Sequence, residues 1–180
     1  ESGPMRILVG YATTEGQTRK IARFVADHLA GGGHAVELLP LSDAEGLQLG
    51  RFDRAVLAGS VHGGQYQSDL IDFARDAASG LAAMPTLFLS VSLSAAGEDP
   101  EDWEGLRACV DRFTRETGWT PDRIAHVAGA FRFTEYDFFR AWAMRWIARE
   151  KGEDVDTSSD TEYTDWAALA AVLDDWSRQG

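Results

Sequence analysis

Apolar runs and segments with helical spacing alternate along most of the chain. Five apolar runs favour buried β-strands, at residues 5–10, 35–40, 54–60, 85–93 and 124–131. Four other segments space their apolar side chains as a helix does, at residues 19–29, 69–79, 103–117 and 165–178. Every connection between strands is too long for a hairpin. The pattern therefore predicts a doubly wound α/β fold, with a five-stranded parallel sheet and helices on both faces.

Three loops follow predicted strands at the positions where such folds bind ligands. They comprise residues 11–18, 61–67 and 93–102. In an open parallel sheet the ligand lies beyond the carboxyl ends of the strands, near the point where the strand order reverses. We therefore expect the functional site in these loops.

The loop after the first strand has the residues of an anion site. A helix N-terminus presents N–H groups without helical partners and the positive end of the helix dipole. Thr13, Thr14 and Thr18 add hydroxyls, and Gly16 allows a tight turn. The loop lacks the Gly-Lys-Ser/Thr of triphosphate loops and the G-x-G-x-x-G of dinucleotide folds, so a small phosphomonoester fits best. The alternative is an ordinary turn with Thr18 as the helix N-cap.

Charge and cysteine content narrow the class of protein. Seventeen basic and twenty-nine acidic side chains give a net charge of −12, which disfavours nucleic acid as a partner. The length of 180 residues predicts one domain over residues 5–180, with residues 1–4 interpreted as an expression scar. Cys109, the single cysteine, is interpreted as a packing residue in a reducing compartment. No apolar stretch reaches the ~20 residues of a membrane span and no signal peptide precedes the first strand, so we expect a cytoplasmic protein.

A segment at residues 132–164 separates the fifth predicted strand from the last helix. Its first part, residues 137–150, is a predicted helix with an aromatic face and arginines near the margins of that face. This arrangement suits a helix that lies on an anionic membrane surface or binds an apolar, acidic ligand. The alternative is that the aromatic face packs on the protein's own sheet. The residues concerned are Phe138, Arg140, Trp142, Arg145 and Trp146.

Several short motifs together point to a known family. The first is Thr13-x-x-Gly16-x-Thr18 after the first strand, which resembles the FMN phosphate loop of flavodoxins. Later motifs are Gly16-Gln17-Thr18-Arg19, Tyr66-Gln67-Ser68, Met84-Pro85, Trp119-x-Pro121-Asp122-Arg123, Ala128-Gly129-Ala130-Phe131-Arg132 and Tyr163-Thr164-Asp165-Trp166. With the inserted segment, they make almost the whole chain similar to the menaquinone-dependent protoporphyrinogen IX dehydrogenases of flavodoxin type.

That resemblance implies a fold, a cofactor and a reaction. The fold would be flavodoxin-like, with strand order 2-1-3-4-5 and a helical insertion after strand 5. FMN would be the cofactor, and the reaction would oxidise protoporphyrinogen IX to protoporphyrin IX with a membrane quinone as acceptor, in heme biosynthesis. The protein would then be peripheral on the inner face of the cell membrane, and a homo-oligomeric state stays open.

The resemblance also assigns roles to individual residues. The FMN phosphate would be held by Thr13, Thr14, Glu15, Gly16, Gln17 and Thr18. The isoalloxazine would lie along Ser60, Val61, His62, Gly63, Gly64 and Tyr66, with its other side flanked by Ser92, Leu93, Ser94 and Ala95. The catalytic candidates are His62 and Arg132. The scattered histidines have no spacing typical of a metal site.

Alternatives remain for several of these roles. His62 could donate to the flavin, carry a proton, or be a surface histidine without a role. Tyr66 could stack on the flavin edge or pack beneath the loop. Arg132 could meet a propionate or a quinone head, or it could pair with Asp137.

Residues 97–102 are mostly acidic and would repel the propionates of a porphyrinogen if they faced the site. Two other functions therefore stay open. One is a soluble flavodoxin-type electron carrier that uses its acidic charge to dock basic partners. The other is an FMN oxidoreductase for another polycyclic or quinone substrate.

Overall fold

The computed structural model describes residues 3–131 and 161–179. Its main sheet has five parallel strands in the order β2-β1-β3-β4-β5. This confirms the predicted fold class. The strands are β1 (Arg6–Tyr11), β2 (Ala35–Pro40), β3 (Arg54–Ser60), β4 (Thr86–Ser92) and β5 (Arg123–Ala128).

In the part of the chain that the structure describes, five α-helices cover the two faces of this sheet. They are α1 (Gln17–Gly31), α2 (Ser68–Asp76), α3 (Ala78–Ala82), α4 (Pro100–Thr117) and α5 (Trp166–Arg178). None of these helices in the described part of the chain is long and apolar enough to cross a membrane.

Side chains that alternate along β1 explain why two separate cores form. Ile7 and Val9 point towards α1 and α5, where they meet Ile21 and Leu173. Leu8 points to the opposite face and belongs to the core beneath α2 and α4. Successive residues of a strand face opposite sides, so a strand covered on both faces must be apolar throughout.

The segment predicted as one helix at residues 69–79 is two short helices. α2 ends at Asp76 and α3 begins at Ala78, with Ala77 between them at φ −101° and ψ 9°. The apolar spacing continues across this break because Leu70, Ala74 and Leu81 all enter the same core. Periodicity therefore identified the buried face but not the interruption.

Helix α4 begins three residues before its predicted start. Asp99 is its N-cap and accepts a hydrogen bond from the backbone N–H of Glu101 at 2.8 Å, and Pro100 occupies the first helical position. Glu101 and Asp102 lie in the first turn, where the helix dipole favours negative charge. Residues 99–102 of the acidic segment 97–102 thus form the start of a helix and not a loop.

The fifth predicted strand is interrupted at Gly129. After β5 the chain forms β6 (Ala130–Phe131), which pairs antiparallel with β7 (Thr161–Glu162). The N–H of Gly129 donates to the carbonyl of Ser92 at 3.0 Å, and its own carbonyl accepts from the N–H of Tyr163 at 3.0 Å. Residues 131 and 161 are therefore neighbours beside the carboxyl end of β5.

Two aspartates of the family motifs have different structural roles. Asp165 caps α5 by accepting from the N–H of Ala168 at 3.0 Å. Asp122 caps no helix, because it accepts from the N–H of Thr86 at 2.7 Å and so joins the start of β4 to the turn before β5.

Candidate functional site

The carboxyl ends of β1, β3, β4 and β5 surround a cavity of about 260 Å³. The loops predicted from the sequence supply most of its wall, which agrees with the rule for open parallel sheets. The lining residues are Thr13, Glu15, Gln17, Thr18, Ser60, Val61, His62, Gly63, Gly64, Val91, Ser92, Leu93, Ser94, Leu106, Gly129 and Ala130.

One end of the cavity is the N-terminus of α1. Gly16 is the N-cap and has a φ of 95°, a left-handed conformation that only glycine adopts without strain. The N–H of Gly16 donates to Thr13 Oγ1 at 2.9 Å, which closes the turn. No side chain in the described residues caps this helix end. Thr18 lies inside the first turn, so the interpretation of Thr18 as N-cap is wrong.

This end, which we call the cradle, comprises residues 13–18. Its binding groups are backbone N–H groups and threonine hydroxyls, because the cavity wall, so far as the chain is described, includes no lysine or arginine. An anion there would be stabilised by hydrogen bonds and by the helix dipole without a cationic side chain.

The opposite end of the cavity is a tight turn after β3. His62 N–H donates to the Gln65 carbonyl at 2.9 Å and the Gln65 N–H donates back at 3.1 Å. Gly63 and Gly64 between them have φ values of 57° and 78°, as a type I′ turn requires. Cys109 donates its thiol hydrogen to the Gly64 carbonyl at 3.3 Å, so α4 supports this turn from below.

His62 is exposed, and neighbouring protein atoms partly bury its ring. This partial burial lowers the pKa of His62 below its usual value of 6.5, because it disfavours the charged form. The imidazole is therefore neutral near pH 7 and has a nitrogen that accepts a proton.

The third wall comes from the loop after β4 and from the end of β5. Ser92 accepts from the N–H of Ala95 at 3.2 Å through its hydroxyl, and the Val61 N–H donates to the Val91 carbonyl at 2.9 Å. Leu106 from α4 completes this wall. Its apolar side chain gives the cavity a surface suited to a flat, largely apolar group.

Four residues predicted for the site lie off the cavity wall. Thr14 and Gly16 shape the cradle without lining the cavity, and Ala95 lies behind Ser94. Arg132, Phe138, Arg140, Trp142, Arg145 and Trp146 are outside the described residues. The fourth off-wall residue, Tyr66, needs a correction.

Tyr66 is a core residue and does not contact the cavity. Its side chain is 6% exposed, and its hydroxyl hydrogen-bonds to Ser90 Oγ at 2.7 Å. The ring packs edge-on against Phe88 and Phe113, at centroid distances of 5.3 and 5.1 Å. Burial raises its pKa to about 12. The alternative of packing beneath the loop is therefore the one that the structure supports.

Sequence reasoning missed five residues that build the site. Val91, Leu106, Gly129 and Ala130 line the cavity. Gly129 and Ala130 lie near the carboxyl end of the fifth predicted strand, so the rule that identified the other loops could have found them. The fifth, Gln67, accepts from the N–H of Ser60 at 3.1 Å and donates to Thr14 Oγ1 at 3.1 Å. It joins the cradle to the end of β3.

The acidic segment does not line the cavity. The described wall includes none of the carboxylates of residues 97–102. Asp99 is engaged as the N-cap of α4, and Trp103 Nε1 donates to the Gly97 carbonyl at 2.8 Å, which holds the segment against the helix. The repulsion that these carboxylates would exert on an anionic substrate in the cavity is correspondingly weaker.

Comparison with known proteins relates this geometry to a family. The family model described as a flavodoxin domain matches residues 8–158. Protoporphyrinogen IX dehydrogenase [quinone] of Escherichia coli (strain K12) is 31% identical over 166 residues, which cover 92% of this chain and 91% of the relative. The protein of the same name from Leishmania major is 27% identical, with 96% of this chain and 74% of the relative covered.

Solved structures agree on the fold. A cysteine-to-serine mutant of flavodoxin from Pseudomonas aeruginosa has a TM-score of 0.53 and 17% identity, covering 82% of this chain and 100% of that one. The apo form of an NADH:FMN oxidoreductase has a TM-score of 0.52 and 14% identity, covering 96% and 88%. The chain therefore belongs to the flavodoxin-domain family, in the group that contains the quinone-linked protoporphyrinogen IX dehydrogenases.

Proposed function

We propose that the protein is an FMN-dependent dehydrogenase that oxidises protoporphyrinogen IX to protoporphyrin IX and reduces a quinone. The observation that carries this proposal is the 31% identity to the Escherichia coli protoporphyrinogen IX dehydrogenase [quinone], which extends over 92% of the chain. The cavity supports it, because the anion cradle and the flat, partly apolar walls lie where the fold binds a ligand.

The flavodoxin domain indicates a flavin, and the cradle favours FMN among flavins. It offers one helix N-terminus, uncapped by the described side chains, and the hydroxyls of Thr13 and Thr18. These groups suit a single terminal phosphate. Glu15 on the same wall would oppose a second phosphate by like-charge repulsion.

Bound FMN would supply the two-electron chemistry between donor and acceptor. The chain's own residues bind, orient and exclude water. The cradle fixes the phosphate, while Val61, Leu93 and Leu106 provide apolar walls. Each two-electron oxidation of the porphyrinogen releases two electrons and two protons, which the quinone takes up in equal number to become a quinol. Neutral His62 would accept one of those protons.

Substrate and membrane contacts fall to residues outside the described part of the chain. We assign Arg132, Arg140 and Arg145 to the propionates of the porphyrinogen or to lipid phosphates, and Phe138, Trp142 and Trp146 to apolar contact. Arginine suits both anions because its planar group forms paired hydrogen bonds with them. The protein would then act at the membrane surface as a peripheral enzyme.

An anaerobic turnover assay tests the proposal. The FMN-loaded protein is mixed with protoporphyrinogen IX and a menaquinone analogue, and protoporphyrin fluorescence is followed beside a flavodoxin control. We expect fluorescence to rise only with the protein and quinone together. Flavin reduction that requires a separate reductase, with no porphyrin formed, would instead support the electron carrier that the net charge of −12 favours.

The peripheral location has its own test. Removal of residues 136–151 should abolish sedimentation of the protein with anionic vesicles. The proposal of membrane contact fails if the shortened and full-length chains sediment equally.

A further inference from the structure

The short ribbon of β6 and β7 is tied to the first residue of α1. Gln17 is 5% exposed, and its amide Nε2 donates to Glu162 Oε1 at 2.8 Å and to Thr164 Oγ1 at 3.1 Å. Thr164 in turn donates its hydroxyl to the Ala128 carbonyl at 2.7 Å. The side chain of Gln17 is therefore held between the cradle and the end of β5.

Glu162 is the centre of this arrangement. Besides Gln17, its carboxylate accepts from Lys20 Nζ at 2.6 Å and from Trp166 Nε1 at 3.3 Å. Lys20 also lies 5.6 Å from the centroid of the Trp166 ring. One carboxylate thus joins α1, β7 and the start of α5.

The position of the Glu162 carboxylate beside an anion cradle has a physical explanation. On its own it would repel a phosphate, but Lys20 offsets its charge and the hydrogen bonds direct its oxygens towards Gln17 and Trp166. The benefit to the cradle is that the first turn of α1 is fixed from outside before an anion binds. Binding then costs less ordering of the site.

We infer that Glu162 is a positioning residue for the phosphate of the cofactor, and that it acts through Gln17. The inference rests on the proposed FMN site and adds to it a residue that does not itself line the cavity. A change at Glu162 should therefore alter the affinity only for ligands that carry a phosphate.

The protonation behaviour of Glu162 agrees with this role. The hydrogen bond from Lys20 is the main reason that the pKa of Glu162 lies below its usual value of 4.5, and the bonds from Gln17 and Trp166 act in the same direction. The carboxylate therefore stays charged under all ordinary conditions. Its stabilising contacts are present above pH 4.5 and are lost as the pH falls through the lowered pKa.

Binding of FMN and riboflavin to the apoprotein tests the inference, because riboflavin lacks only the phosphate. Dissociation constants are measured by quenching of flavin fluorescence. In Glu162→Gln, which keeps the shape but removes the charge, we expect FMN affinity to fall about tenfold, the size of one hydrogen bond to a charged group. Riboflavin affinity should change less than about twofold.

The matched control is Glu37→Gln. Glu37 pairs with Arg51 at 2.7 Å in a comparably exposed ion pair on β2, away from the cavity. This variant should bind both flavins as the unaltered protein does.

A double-mutant cycle tests whether Glu162 acts through Gln17. Gln17→Met keeps the backbone N–H and removes the amide that Glu162 holds. In that background Glu162→Gln should have no further effect on FMN affinity, whereas independent effects would multiply and overturn the inference.

The other outcomes are equally distinct. Unchanged FMN affinity in Glu162→Gln, or an equal loss for both flavins, overturns the inference. Failure of the unaltered protein to bind FMN overturns the proposed function instead. If circular dichroism shows that Glu162→Gln does not fold, Lys20→Met serves as the second variant. It leaves the carboxylate of Glu162 uncompensated and should weaken the binding of FMN but not of riboflavin. FMN affinity equal to that of the unaltered protein would refute the positioning role.

Discussion

The two ends of the cavity are built in different ways. The cradle belongs to a helix whose next turns are anchored in the core, since Ile21, Ala22 and Val25 are fully buried. The turn at His62 belongs to no helix or strand of the main sheet and is closed by its own backbone hydrogen bonds. Helix packing gives the first end a fixed geometry, whereas the second end depends on glycine conformations and on support from α4.

This difference has a functional meaning. A phosphate needs fixed N–H groups, and a rigid helix end supplies them. In the proposed function, redox and proton chemistry would take place at the other end, where His62 contributes a side chain with a lowered pKa. We therefore expect changes at the turn to affect turnover and changes at the cradle to affect cofactor affinity.

The largest effect should come from His62→Asn. If His62 accepts a proton in turnover, its loss should lower kcat about 10²-fold, the usual contribution of a general base. FMN affinity should change little. Stopped-flow flavin reduction by the porphyrinogen measures the rate, and an unaltered rate would leave His62 without a catalytic role.

The pH dependence of the turnover rate of the unaltered protein also tests whether His62 accepts a proton, without a mutation. Because burial lowers the pKa of His62, the neutral proton acceptor is present above that lowered value. The rate should fall as the pH drops through it, at a pH below 6.5, and this acid limb should be absent in His62→Asn. An acid limb that persists in the variant would assign it to another group.

Gly16→Ala should have the next largest effect and should act on the cradle. Among the described residues, apart from the adjoining backbone, no atom lies within 4 Å of the added methyl group, so the expected penalty is that of the left-handed conformation, about 1–2 kcal/mol. FMN affinity should fall roughly fivefold to thirtyfold. Gly33→Ala is the matched control, with a φ of 96° and equally open space at the other end of α1. It should destabilise the fold similarly and leave FMN binding intact.

Gln67→Met should have a smaller effect, because Gln67 joins the two ends without lining the cavity. The variant removes bonds to Thr14 and to the N–H and hydroxyl of Ser60. We expect a loss of about threefold to tenfold in affinity for FMN and riboflavin alike, measured by fluorescence titration. A loss confined to FMN would place Gln67 with the cradle alone. The control is Gln65→Met in the neighbouring turn, because the hydrogen bonds of Gln65 in that turn are made by its backbone.

Tyr66→Phe should have the smallest effect on flavin binding and a measurable one on stability. Loss of the hydroxyl leaves Ser90, which is fully buried, without its bond to Tyr66, so the free energy of unfolding should fall by about 1–2 kcal/mol. Urea denaturation measures this, and both flavins should bind as before. Weaker flavin binding with unchanged stability would restore the original expectation of a flavin contact.

The fold class could be predicted from the pattern of apolar and polar residues because the signals that indicate it are local. Parallel strands covered on both faces must be apolar throughout, and the connections are too long for hairpins. β2 and β3 therefore have the predicted bounds. The cradle was predictable for the same reason, since a strand, a threonine-rich turn and a helix are consecutive. Most of the residues predicted to bind the cofactor do line the cavity.

Errors arose where distant segments meet. Tyr66 follows a site loop in sequence, yet it turns inward because Ser90, Phe88 and Phe113 offer its hydroxyl a partner and its ring a close-packed environment. The acidic residues before α4 suggested a repulsive loop. They are instead a helix start, with Asp99 as the cap.

Residue order along the chain was thus enough to predict the sheet, its two cores and the threonine-rich turn before α1, because each depends on periodicity or on neighbours a few positions apart. The contacts of Gln17 with Glu162, of Gln67 with Thr14 and of Leu106 with the cavity became visible only in three dimensions. They join residues that are far apart in the chain, and no local pattern encodes which side chains long-range packing will bring together.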